Sequence, residues 1–131
     1  MRNLRTLTIG LAVALVSCAT TKEHSSITGL PAGLQEKIRE LSGPNTTPCG
    51  VVDVSNDADR LAKYECVRIA ASEKKSFWLA DSQIASGGFG FAWIGSSSGK
   101  VYQLLSMGKN LLPAECRAFE VTRDNGIHCS I

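Results

Sequence analysis

The chain has 131 residues, 44% of them hydrophobic, with 14 Lys+Arg against 12 Asp+Glu. That length allows one small domain. Charge is nearly balanced, and Lys74-Lys75 is the only adjacent basic pair. This excludes the clustered basic excess that a nucleic-acid footprint requires, so no nucleic-acid partner is expected.

The chain opens on a leader. Arg2 and Arg5 make a positive start, and the run 7–16 is almost wholly apolar, with Gly10 as its break. A stretch of about ten residues is too short to cross roughly 30 Å of hydrocarbon as a helix. Its length and flanks fit a secretory signal. The run closes on Leu15-Val16-Ser17-Cys18. An aliphatic, a permissive and a small residue before cysteine resemble the bacterial lipobox. The resemblance identifies residues 1–17 as a lipoprotein signal peptide. It implies diacylglycerol on the Cys18 thiol, cleavage before Cys18 and acylation of the new amine. Each buried methylene contributes about 0.8 kcal/mol, and about two acyl chains hold a protein stably on a membrane. The membrane is therefore an expected partner, through Cys18. Ala19 stands where aspartate resembles an inner-membrane retention signal, which favours the outer membrane, on its periplasmic face in a Gram-negative cell. Without Arg2 and Arg5, 12 basic residues face 12 acidic ones, so residues 18–131 are close to neutral.

Lipidation of Cys18 also resolves the odd count of five cysteines. Cys49, Cys66, Cys116 and Cys129 remain, and an oxidising envelope makes two disulfides the expectation. Four cysteines allow three connectivities. Cys49–Cys66 and Cys116–Cys129 are favoured because each pair is near in sequence. A zinc site would show paired cysteines two to four residues apart, and none occurs, so no metal is expected.

Residues 18–29 are polar and read as a tether, with the domain following over 30–131. His24 lies in the tether without an apparent partner. Leu30, Leu34, Ile38 and Leu41 fall on one helical face. Pro31 suits the first turn and Gly43-Pro44 the stop. Pro44 to Pro48 reads as a turn-rich linker, and Val51, Val52 and Val54 as a short β-prone run. Asn56 or Asp57 can cap a second helix whose inner stripe is Ala58, Leu61, Ala62, Cys66, Ile69 and Ala70, with Arg60, Lys63 and Arg68 outside. Asp53, Ser55, Asp57 and Asp59 resemble a calcium loop, but the sixth-position glycine is missing and Tyr64 stands where an acid belongs. Capping accounts for them better.

After Lys75 the period becomes strand-like. Residues 76–84 form one strand. Ser86-Gly87-Gly88 turns the chain, and Phe89, Phe91 and Trp93 alternate along a second strand. Residues 95–99 turn it again into a third strand over 101–107. Gly95 to Val101 mimics a phosphate-binding loop, but it lacks the spacing, the following Ser or Thr and the helix. Residues 108–113 read as irregular. A strand over 116–122, the turn Asp124-Asn125-Gly126 and a return over 127–131 finish the chain.

No catalytic constellation emerges. The cysteines are claimed by lipid and disulfides, and His128 has no serine at a nucleophile elbow beside it. Asp81 with Glu65 or Glu73 is the remaining carboxylate pair. No cofactor is expected. Loops carry contacts, and small residues let a partner approach. Gly87, Gly88, Phe89, Ser97 and Gly99 are therefore the candidate contact surface. The expected fold is α+β: one or two N-terminal helices on one face of an antiparallel meander of 4–5 strands, held by two disulfides. That element order resembles small envelope lipoproteins of the assembly-machine type, and loosely other small two-disulfide lipoproteins. The expected function is a non-catalytic binding or scaffolding module with an envelope protein partner. The alternative is an inhibitor of an external hydrolase such as lysozyme, which Ser86-Gly87, Trp93 and Tyr102 faintly resemble.

Overall fold

The computed structural model describes residues 27–122 and 126–131. Residues 1–17, Cys18, His24 and Asp124-Asn125, and the expectations that fall on them, lie outside the described residues. A 3-10 turn, Ile27–Gly29, comes first, and Ile27, assigned above to the tether, packs against the core under α1. Helix α1, Ala32–Ser42, begins after Pro31 and ends at Gly43. Gly43 has φ +80°, which glycine tolerates best, and its N–H donates to the Arg39 carbonyl. Leu30, Leu34 and Ile38 are buried, as their spacing requires.

Strand β1, Thr47–Val52, starts earlier than the valine run suggests. It pairs parallel with β2, Phe77–Asp81. A parallel pair needs a crossover of a dozen or more residues. Helix α2, Asp57–Ser72, supplies it. The helices are therefore not an N-terminal group. A third, one-turn helix, α3 (Ser82–Ala85), follows β2 directly. Strands β3 (Gly90–Gly95), β4 (Val101–Met107) and β5 (Asn110–Glu115) complete a sheet in the order β1-β2-β3-β4-β5. Only β2 to β5 form the antiparallel meander. Strands β6 (Ala118–Thr122) and β7 (Gly126–Ser130) make a separate two-stranded sheet. The fold is α+β, with a mixed sheet in place of the simple meander.

The expectation that the helices share one face is also corrected. Trp78 and Ala80 of β2, with Ala92, Ile94 and Leu104, pack against Leu34 and Ile38 of α1 and Ile84 of α3. Phe77, Leu79, Trp93 and Val101 pack with Val67 and Ala70 of α2 and with Phe119, Val121 and Ile127 of the hairpin. The first four residues of β2 are all buried, the mark of a strand covered on both sides.

Helix α2 turns a different stripe inward from the one expected. Val67 and Ala70 are buried and Tyr64, Cys66 and Ala71 pack behind them, whereas Leu61 is 50% and Ile69 42% exposed. Lys63 lies partly inside, with Nζ 2.7 Å from Asp59 and donating to the Val51 carbonyl at 3.1 Å. The disulfides are Cys49–Cys66, joining β1 to α2, and Cys116–Cys129, joining the β5–β6 link to β7.

Candidate functional site

Alternate residues of β3, β4 and β5 face the α2 side of the sheet. Near Val101 and Phe77 that side is filled by α2 and the β6–β7 hairpin. Further along, the ladder pairs Phe91 with Leu105 and Leu105 with Leu112, so three apolar side chains cross three strands in one row. Phe91 is 40% and Leu112 49% exposed, and Leu105 is half-buried. Met107, two residues beyond Leu105 on the same face, is 51% exposed. Phe89, 67% exposed, stands just before β3. The remaining residues of this face on β4 and β5, Gln103, Asn110 and Ala114, are neutral.

Local structure holds the row in place. The Phe91 ring stacks on Trp93, with centroids 6.3 Å apart. The buried Trp93 indole donates to Gln103 Oε1 at 3.1 Å, which fixes the ring against which Phe91 rests. The start of β3 is braced by Asp81. Its Oδ1 accepts from the Ile84 N–H at 2.8 Å and its Oδ2 from the Phe91 N–H at 2.9 Å. Gly90 allows this, because a Cβ there would strike the Asp81 carboxylate and lie 2.8 Å from the Ile84 nitrogen.

The residues expected to form one contact rim are separated. Gly87, Gly88 and Phe89 lie in the α3–β3 loop, and Ser97 and Gly99 in the β3–β4 turn. The six residues of β3 stand between the two groups, about 20 Å at 3.4 Å per residue. Ser96 and Gly99 close the second turn on themselves, with Ser96 N–H donating to the Lys100 carbonyl and Gly99 N–H to the Ser96 carbonyl. Trp93 and Tyr102 occupy opposite faces, so the lysozyme-inhibitor echo is not gathered into one site. Of the expected set, Phe89 adjoins the apolar face. Leu105, Met107 and Leu112 escaped sequence reasoning. Alternation in 101–107 places Leu105 and Met107 opposite Leu104, but Leu112 needed β5 to be recognised.

Several ionisable residues make structural contacts. Asn56 Oδ1 caps α2 by accepting from the Asp59 N–H, and Asp53 accepts from Ser55. Glu73 pairs with Lys75 at 3.1 Å, Glu65 pairs with Arg68, and His128 is exposed. Burial pushes the Tyr64 phenol above its ordinary value of 10.0, while Arg60 lowers it and Asp81 raises it. Among the described residues no group of three or more His, Cys, Asp or Glu could hold a metal ion. Among them also, no helix is long and apolar enough to cross a membrane. A cleft of about 290 Å³ opens between Ile38, Ser42, Pro48 and Trp78. Another, of about 240 Å³, lies between Leu34, Ile84, Ser106 and Leu111. Comparison with family models, curated proteins and solved structures gives no match to this chain.

Proposed function

We propose that the chain is a lipid-anchored envelope lipoprotein, outer-membrane by preference, whose domain is a non-catalytic binding module using the Phe91–Leu105–Leu112 face. The observation that carries the binding role is the exposure of that face. Phe89 and Phe91 together expose about one aromatic side chain, and Met107 and Leu112 about one more large apolar one. At roughly 150–250 Å² per large side chain, the face offers about 300–500 Å² of apolar surface. Patches of that size on small proteins are often functional. The anchoring role rests on Leu15-Val16-Ser17-Cys18. Its test is Cys18→Ser with radioactive palmitate. The expected result is loss of label and release from the membrane or retention of the leader. Full membrane attachment without label would overturn the assignment. The binding role is tested by Met107→Lys, whose side chain is half exposed and outside the core. Partner capture from solubilised membranes should fall in this variant, with the melting curve unchanged.

A further inference from the structure

We propose that the cleft between the first turn of α1, α3 and the β4–β5 turn binds a small carboxylate with a short apolar tail. It lies on the α1 side of the sheet, opposite the Phe91–Leu105–Leu112 face, and does not depend on that face binding anything.

The walls are apolar. Leu34 of α1, Ile84 of α3 and Leu111 of β5 line the cleft, and Gly33, Gly87 and Gly108 put no side chain across it. Its volume is about 240 Å³. At roughly 30 Å³ per water molecule, that is room for a ligand of about eight non-hydrogen atoms.

Hydrogen-bond donors meet at the same cleft. Helix α1 is preceded by Pro31 and has no side-chain cap. Its first internal bond runs from the Gln35 N–H to the Pro31 carbonyl. The N–H groups of Ala32, Gly33 and Leu34 therefore have no acceptor among the described residues, and they carry the positive end of the helix dipole. Gly33 and Leu34 line the cleft, and so does Lys109. Among the described residues Lys109 forms no salt bridge. Glu36 and Glu40 line the adjoining groove instead, and Glu40 pairs with Lys37 at 3.4 Å.

Ser106 points to a ligand independently. It follows Leu104 by two residues on β4, so its side chain faces the α1 side, where it lines the cleft at 2% exposure. Its Oγ has only a 3.4 Å contact with the Gly108 carbonyl, longer than the usual O–H···O range of about 2.5–3.0 Å. A buried hydroxyl without a normal partner is costly, and a ligand carboxylate would accept from it. Inorganic phosphate would meet these donors and leave the apolar walls empty. A hydrocarbon would fill the walls and leave the donors unmet. A carboxylate with a tail of about five carbons does both.

The test uses the full chain in its membrane and the photoreactive probe 4,4-azipentanoate. Mass spectrometry should place the adduct on Leu34, Ile84 or Leu111. Free 4-methylpentanoate should compete, and 4-methylpentanamide about tenfold less well, because the amide lacks the charge. Lys109→Gln should weaken competition by the acid about tenfold for the same reason. Gly33→Ala should weaken it too. Its Cβ would lie 3.8 Å from Leu111 Cδ1, an ordinary contact, so the cleft narrows while the helix keeps its fold. An N-acetylated dipeptide ending in leucine distinguishes the source. Stronger competition than by the free acid would support the site with a polypeptide C-terminus as its ligand, and weaker competition would support it with a free acid. Equal competition by acid and amide would overturn the carboxylate. Phosphate competing as well as 4-methylpentanoate would overturn the apolar tail. No adduct, or adducts spread equally over the cleft and the Phe91 face, would overturn the site.

Discussion

At Gly95 a methyl group would fall on the edge of the Phe77 ring, touching Cε1 and Cδ1. The two residues are cross-strand partners, and Phe77 is 1% exposed, with the Phe119 ring centroid 6.0 Å from its own. The ring has nowhere to go. Gly95→Ala should therefore cost about 1–3 kcal/mol, the usual range for overpacking, read as a lower urea midpoint at unchanged slope. Tyr64 gives a second residue-scale prediction. Its phenol is raised above 10.0 mainly by burial, so the folded state keeps the proton to higher pH than the unfolded chain does. The resulting stability is fully present below about pH 10 and is lost as pH rises through the folded value. Urea melts at about pH 9 and about pH 11 should show a smaller loss in Tyr64→Phe than in the parent. An equal loss in both would remove Tyr64 as the cause.

At the scale of elements, the Cys49–Cys66 bond ties the edge strand β1 to the crossover helix α2. Cys66→Ala should cost roughly 2–5 kcal/mol, Cys49→Ala nearly the same, and the double variant little more, because all three delete one bond. Urea melts of the three variants check this, and additive losses would refute it. Ser97→Ala, exposed in the β3–β4 turn, is the neutral control, expected within about 0.5 kcal/mol. Lys63 would be a poor control. Its ammonium binds Asp59 and the edge carbonyl of Val51, so Lys63→Ala should cost about 1 kcal/mol.

For the whole molecule, two cores share one sheet. Ile38 belongs to the α1 side and Val67 to the α2 side, and both are fully buried. Ile38→Val should cost about 0.5–1.5 kcal/mol. Combined with Val67→Ala, the losses should add within about 0.5 kcal/mol, since the two side chains pack in separate layers. Calorimetry should still show one transition, because β2 and β3 carry side chains into both layers. Two resolved transitions would mean that the layers unfold apart.

Features set within a few residues were legible in the sequence. Pro31 and Gly43 bound α1, Asn56 caps α2, and the turns at Ser86-Gly87-Gly88 and 95–99 lie where their glycines put them. The disulfide partners were legible too, because short loops close at the least entropic cost. The resemblance of Leu15-Val16-Ser17-Cys18 to a lipobox is equally local, and the proposed anchoring rests on those four residues alone. Tertiary structure decided the rest. Val52 and Leu79 are apolar residues of strands, but nothing near them states that β1 runs parallel to β2. Ala58, Leu61 and Ile69 suit an inner stripe by type, yet α2 is rotated so that Tyr64 and Val67 meet the core, pinned by Cys66 and by Lys63 on Val51. Residues 108–113 read as irregular, and only the open edge of the sheet accommodates Pro113 within β5. The apolar face followed from the same choice. Leu112 joins Phe91 only after β5 has paired with β4, and both remain exposed because α2 and the hairpin cover the other part of the sheet. Backbone angles and caps are decided by neighbours in the chain, whereas sheet order and layer coverage are decided by which distant surfaces bury each other best.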